Sequence, residues 1–224
     1  DFEKGDIPGF SLNPNCEVVI KLYWDKVANN VVFPYANTTD IAVTVVPYLT
    51  KWNAGQGLVN PLVEMPIHLI GHSRGGSVVS EMAKLLAASG IWVDQVTTLD
   101  PHPIQLPLSV ASDKISVGQA LYPHPLFLDP DVMIYDNIIF ADDYYQTLDR
   151  VTFGYSIDGS YLEFLNGKLN EDGLDASYHT QVYYWYHGTI DLNVATLDCD
   201  SIPRDIWYTP NDFGYRLSRI TDGQ

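Results

Sequence analysis

The sequence predicts an α/β protein: a mostly parallel sheet with flanking helices. Three observations carry that expectation. Residues 66 to 90 run from an apolar strand, Pro66 to Ile70, through Gly71-His72-Ser73-Arg74-Gly75-Gly76 into an amphipathic helix ending near Gly90. A second apolar run, Val93 to Leu99, follows at once and stops at Asp100-Pro101, because the residue before proline is pushed out of helical geometry. Strands alternating with helices in this way make βαβ units, whose ligands bind beyond the carboxyl ends of the strands.

The remaining elements follow in chain order. Glu17 to Trp24 is an apolar run of strand length, suited to a buried parallel strand. From Thr38 to Trp52, Ile41, Val45, Tyr48, Leu49 and Trp52 recur at helical spacing, with Pro47 expected to kink the helix. In the helix after Ser73, Val78, Met82, Leu85 and Leu86 fall on an inward face, and Glu81 and Lys84 on an outward one. Residues 102 to 130 are proline-rich and irregular, with scattered apolar side chains such as Leu106, Leu121 and Phe127. Val132 to Phe140 reads as a further strand. Asp142, Asp143 and a tyrosine-rich stretch come next, with a short hairpin expected about Val151 to Phe164. Tyr178 to Tyr186 is an aromatic helix or turn.

A chain of 224 residues with 46% hydrophobic content can bury one sizeable core, so a single domain over 1–224 is expected. Twenty-eight acidic side chains against twelve basic ones give a formal charge of −16, which repels nucleic acid and anionic lipid surfaces. That acidity suits a soluble secreted or salt-tolerant protein. No apolar run reaches the roughly 18 residues of a membrane span. Asp1 to Asp6 carry no signal sequence, so the chain reads as mature or as an excised domain. Cys16 and Cys199 either clamp the two ends with one disulfide in an oxidising compartment or remain two thiols. No Cys/His spacing resembles a zinc site, and no metal is expected.

The chemistry centres on Ser73. A serine on a sharp strand-to-helix turn points its hydroxyl out of the sheet, and its neighbours two positions away must be small, as Gly71 and Gly75 are. The first turn of the following helix aims backbone N–H groups at the place where an oxyanion would form, the Arg74 amide being the first donor. A serine hydroxyl is a weak nucleophile, so it needs a histidine base, and that imidazole needs a carboxylate to fix its tautomer.

His-Leu-Ile-Gly-His-Ser-Arg-Gly-Gly at 68 to 76 and Thr-Leu-Asp-Pro at 98 to 101 resemble the lipases of the α/β-hydrolase superfamily, especially the pancreatic and phospholipase A1 branch. The likeness covers roughly residues 17 to 101, with further support in His179-Thr180-Gln181-Val182. It implies an α/β-hydrolase fold, here with the N-terminal strands reduced or missing. It also implies the chain order serine, acid, histidine, and hence Ser73, Asp100 and His179 as the catalytic set. Asp142, after the next strand, occupies the commoner acid position of the wider superfamily and stands as the alternative acid. His187 is the alternative base, with a capping role at the end of the aromatic segment as its competing reading. His102 either lines the pocket or is a surface loop residue. Arg74 departs from the leucine common after the serine and places a cation beside the nucleophile.

The expected activity is that of a serine ester hydrolase, lipase- or esterase-like, acting on a small-molecule or lipid ester without a cofactor and outside the cell. The segments at about 102–130 and 144–176 would then wall the acyl pocket or act as a lid, or simply pack on the domain. Asp142 and Asp143 could pair on a structural calcium ion, a reading the commonness of acidic pairs disfavours. The second oxyanion donor is unidentified. Pro8-Gly9-Phe10 is a faint echo of the usual string, and a loop just after Trp24 is the other source. Two competing readings stand: another acyl hydrolase or acyltransferase (thioesterase, peptidase) with the same residues, or a catalytically impaired domain of a larger extracellular protein.

Overall fold

A computed structural model describes residues 19–24, 37–51, 61–104, 129–149, 152–169 and 177–190. Helix α1 spans Thr38–Thr50, strand β1 His68–His72, helix α2 Arg74–Ala88, strand β2 Val93–Leu99, strand β3 Ile138–Tyr145, strand β4 Tyr161–Phe164 and helix α3 Tyr178–Ile190. Among the described residues the four strands form one sheet in the order β1-β2-β3-β4, and every pair is parallel. The α/β class with a parallel sheet and flanking helices is therefore the observed architecture.

The sheet is covered on both faces. On one, α2 packs across β1 and β2 with α1 laid over it, burying Ala42, Val46, Leu69, Val78, Met82, Leu86 and Val96. On the other, Val182, Trp185 and Tyr186 of α3 meet Leu99 and Tyr144 at the strand ends. Asn37 caps α1 by accepting the Asp40 N–H at 2.8 Å. The helix runs on through Pro47 because the carbonyl that loses its donor is that of Val43, on a side that is 53% exposed.

Several elements differ from expectation, each for a physical reason. Residues 19–24 carry no strand, although Leu22 and Trp24 pack on the first core. With no strand there to flank it, β1 lies at one end of the described sheet. Glu81 is buried, 2% exposed, because α1 crosses above it and Thr39 donates to its carboxylate at 3.0 Å; Lys84 bonds the same group from outside.

The third strand begins at Ile138, not Val132. Residues 130–137 are taken up by α2 instead of the sheet: Ser77 Oγ donates to Pro130 O at 2.7 Å, the Met133 N–H donates to Ser80 Oγ at 2.9 Å, and Asn137 Nδ2 donates to Ala83 O and Ile91 O. As a result Asp142 and Asp143 lie within β3, facing opposite sides of the sheet. The expected hairpin at 151–164 is absent too. Tyr161–Phe164 returns parallel to β3 after a turn at Asp158-Gly159, where Gly159 has φ 88°. Tyr144, Tyr145 and β4 therefore lie in strands of the sheet.

Cys16, Cys199, the Pro8-Gly9-Phe10 string, the loop after Trp24, and residues 105–128 and 170–176 lie outside the described residues.

Candidate active site

Parallel pairing brings His72, Leu99 and Tyr144 to one rung, so the residues just beyond them share the carboxyl edge of the sheet. The ladder continues one step further: the Ser73 N–H donates to Leu99 O at 2.9 Å and the Asp100 N–H to Tyr144 O at 2.6 Å. Register alone thus sets Ser73 beside Asp100 and Asp100 beside Tyr145, with Gln146 the next residue along.

Both Ser73 and Asp100 adopt left-handed backbone, with φ 58° and φ 46°. Non-glycine residues occupy that region at a cost of order 1–3 kcal/mol, and such strain concentrates at functional turns. Ser73 is the N-cap of α2 yet makes no side-chain capping bond, so its hydroxyl is not spent on the helix. A Cβ at Gly71 would stand 2.1 Å from Gly75 O, which makes glycine obligatory there. At Gly75 it would meet nothing within 4 Å among the described residues. The sequence expectation that both must be small holds for Gly71 only. Gly76 is the closely packed position instead, since a Cβ there would stand 3.1 Å from Pro101 Cβ.

The structure brings His179 to Asp100. His179 Nδ1–H donates to Asp100 Oδ2 at 2.5 Å, with the carboxylate fully buried and the imidazole side chain 13% exposed. That bond sets the tautomer, leaving Nε2 as the lone-pair nitrogen. His179 opens α3, and its own N–H donates to Asp149 Oδ2 at 2.8 Å. His72 Nε2–H donates to the His179 carbonyl at 2.9 Å, and the two rings stack with centroids 4.5 Å apart. Burial, reinforced by the neighbouring His179, lowers the His72 pKa to about 4, so it works as a neutral donor. Ser73 Oγ makes no hydrogen bond to the imidazole among the described residues; in unliganded sites such bonds are often long and tighten on substrate binding.

His187 lies eight residues further along α3, about 12 Å at 1.5 Å per residue, and has no contact with Asp100. Asp142 is equally remote: it accepts from Thr97 Oγ1 at 2.5 Å and Tyr144 OH at 3.1 Å inside the sheet. Asp143, on the opposite face, accepts from Thr98 Oγ1 at 2.6 Å and the Ile157 N–H at 3.2 Å, and burial pushes its pKa up to about 7. Facing opposite ways, the two cannot share an ion, and no group of three or more His, Cys, Asp or Glu is placed to hold a metal among the described residues.

Arg74 does not present its charge to the site. Its Nε and Nη2 donate to Asp129 at 2.6 and 2.8 Å, and its guanidinium lies over the Trp24 ring at 5.1 Å. His102 lines the site edge: its N–H donates to Ser73 O at 3.2 Å, its Nδ1–H donates to Phe153 O at 2.9 Å, and its ring is 6.2 Å from that of His179.

Gln146, Asp149 and Gly154 were not legible as site residues. Gln146 bonds Asp100 through both its N–H and its side chain, and a Cβ at Gly154 would stand 2.2 Å from Asp100 Oδ1. No sequence signal marked Gln146, because the strand was expected to end at Phe140, six residues earlier.

No protein-family model and no curated protein matches the chain. Among solved structures it is similar to YbtT, a type II thioesterase from the yersiniabactin NRPS/PKS biosynthetic pathway. The identity is 14% and the TM-score 0.32, over 58% of this chain and 66% of that one. A serine-to-alanine mutant of the same thioesterase matches with a TM-score of 0.31. The chain thus spans less than two thirds of these neighbours, and a likeness at this level assigns neither family nor activity.

Proposed function

We propose that the protein is a serine acyl hydrolase of the α/β-hydrolase type, acting on carboxylic esters in the manner of a lipase or esterase. The observation that carries this reading is the 2.5 Å bond from His179 Nδ1 to the buried Asp100, beside a serine held at φ 58° at the mouth of a helix. Asp100 fixes the imidazole, so Nε2 accepts the Ser73 proton as Oγ attacks the ester carbonyl. The carbonyl electrons move to oxygen, and the Arg74 amide, first of α2, stabilises the oxyanion with the helix dipole behind it. When the tetrahedral intermediate collapses, the imidazolium returns its proton to the leaving alcohol. Water then repeats the sequence on the acyl-enzyme.

Labelling by a fluorophosphonate probe tests the reading. Wild type should be labelled, Ser73→Ala should not, and His179→Ala should label weakly; an unlabelled wild type overturns the proposal. Nitrophenyl esters of graded acyl length then separate esterase from lipase, and thioester analogues test a thioesterase activity. Equal turnover at every chain length would remove the lipase assignment.

A further inference from the structure

Asp100 is fully buried and accepts three hydrogen bonds, and two of them come from one residue. Gln146 donates its N–H to Oδ1 at 3.0 Å and its Nε2–H to Oδ2 at 2.8 Å, the same oxygen that receives His179. The other end of that amide is also occupied. Its Oε1 accepts the Leu148 and Asp149 N–H groups at 2.7 and 2.9 Å, folding residues 146–149 into a turn. The turn aims the Asp149 carboxylate at the backbone N–H of His179, 2.8 Å away. The result is a closed ring of hydrogen bonds running Asp100, Gln146, Asp149, His179 and back to Asp100.

We infer that Gln146 is a positioning residue for the Asp100–His179 pair, fixing the carboxylate's rotation and sharing the charge of Oδ2 with the imidazole. The inference rests on the proposed serine hydrolase reading. Its physical content is specific. A carboxylate buried this completely has no water to orient it, so the direction of its lone pair toward Nδ1 is set by its other donors. An amide N–H on the same oxygen also withdraws part of the negative charge that would otherwise stabilise the imidazolium. Without that donor, His179 holds a proton more tightly, and the acid limb of the rate profile moves to higher pH. The companion support is steric: Gly154 leaves the carboxylate just enough room in this orientation, since a Cβ there would meet Oδ1 at 2.2 Å.

The experiment compares Gln146→Met and Gln146→Glu with wild type, with kcat/KM taken per active site after fluorophosphonate titration. Gln146→Met fills the space without hydrogen bonds. It should lose about ten- to hundredfold in kcat/KM, mostly in kcat, the range of one hydrogen bond to a charged group. Its acid limb should move to higher pH. Gln146→Glu keeps the shape but must share one proton with Asp100 to stand at Oδ2. It should keep activity on the acid side of the optimum and add a new falling limb as that proton leaves.

A merely structural glutamine would lower the titratable fraction and leave both limbs in place. A per-site rate and pH profile superimposable on wild type in either variant overturns the inference. If Gln146→Met fails to fold, the isosteric Gln146→Glu decides alone. Failure of the hydrolase reading looks different, because wild type itself would then take no label.

Discussion

Replacing Arg74 by methionine separates two roles for the residue that follows Ser73. Read as sequence, Arg74 is a cation next to the reacting serine; in the structure its charge is consumed by Asp129, whose side chain is fully buried. Asp129 accepts four hydrogen bonds: two from Arg74, one from the Thr38 N–H at 3.1 Å and one from the Ile104 N–H at 2.9 Å. It thereby ties α1, α2 and the chain after Asp100 to one point. Arg74→Met leaves that carboxylate buried with two backbone donors and no counter-charge, a change that costs about 3–5 kcal/mol. For a chain of this size that corresponds to a loss of roughly 6–20 °C in Tm, at 2–4 °C per kcal/mol.

Urea denaturation supplies the first number and calorimetry the second. The double variant Arg74→Met with Asp129→Leu removes both charges and should recover at least about 2 kcal/mol relative to the sum of the single variants. Activity per titrated active site should change little, because the proposed oxyanion donor at 74 is the backbone amide. Single variants within about 1 kcal/mol of wild type, or a per-site loss confined to anionic substrates, would refute the reasoning and restore the cation to the site.

Gly71→Ala places a methyl group 2.1 Å from Gly75 O and should abolish soluble expression or probe labelling, whereas Gly75→Ala meets open space. The latter lies in the first turn of α2, where Ala in place of Gly stabilises a helix by roughly 0.5–1 kcal/mol. A Gly75→Ala variant as damaged as Gly71→Ala would show that unseen neighbours crowd that position. The pH dependence of stability has a worked sign at each end of its range. Asp143 holds its proton more tightly folded than unfolded, so its contribution is present below about pH 4 and is lost as pH rises toward about 7. His72 does the reverse: its pKa is depressed to about 4, so its contribution is present above about pH 6.5 and is lost on acidification toward 4. Between about pH 4 and 7 the urea midpoint should gain more, or fall less, with rising pH in Asp143→Asn than in wild type. An unchanged slope would count against the buried acid.

Much of the fold was legible because its signals are local. Val93 to Leu99 needed only apolar content and the proline that follows Asp100, and α2 only its period and the glycines before it. The errors arose where a distant partner overruled a local pattern. Val132 to Phe140 has strand composition, yet its first half bonds Ser80 and Ala83 of α2, more than fifty residues earlier. Glu81 looked solvent-facing because a helical wheel cannot know that α1 lies across it. The tyrosine-rich stretch suggested a hairpin about Val151 to Phe164, and strand composition does not say whether the next strand pairs parallel or antiparallel.

The candidate site divides along the same line, which explains why its base could be chosen and its support could not. Gly71, Ser73 and Asp100 are demanded by backbone geometry, and a backbone demand shows in residue type. His179 and His187 are alike in type, and only the start of α3 at Tyr178 decides between them: it puts one imidazole at the sheet edge and the other about two helical turns away. Gln146 is harder still, since glutamine is neither charged, nucleophilic nor conformationally special. Its importance lies wholly in being fully buried between an acid 46 positions upstream and a turn that reaches a histidine 33 positions downstream. Residues of that kind carry no signature of their own. They are found by asking of each buried carboxylate what holds it still, and for Asp100 most of the answer is Gln146.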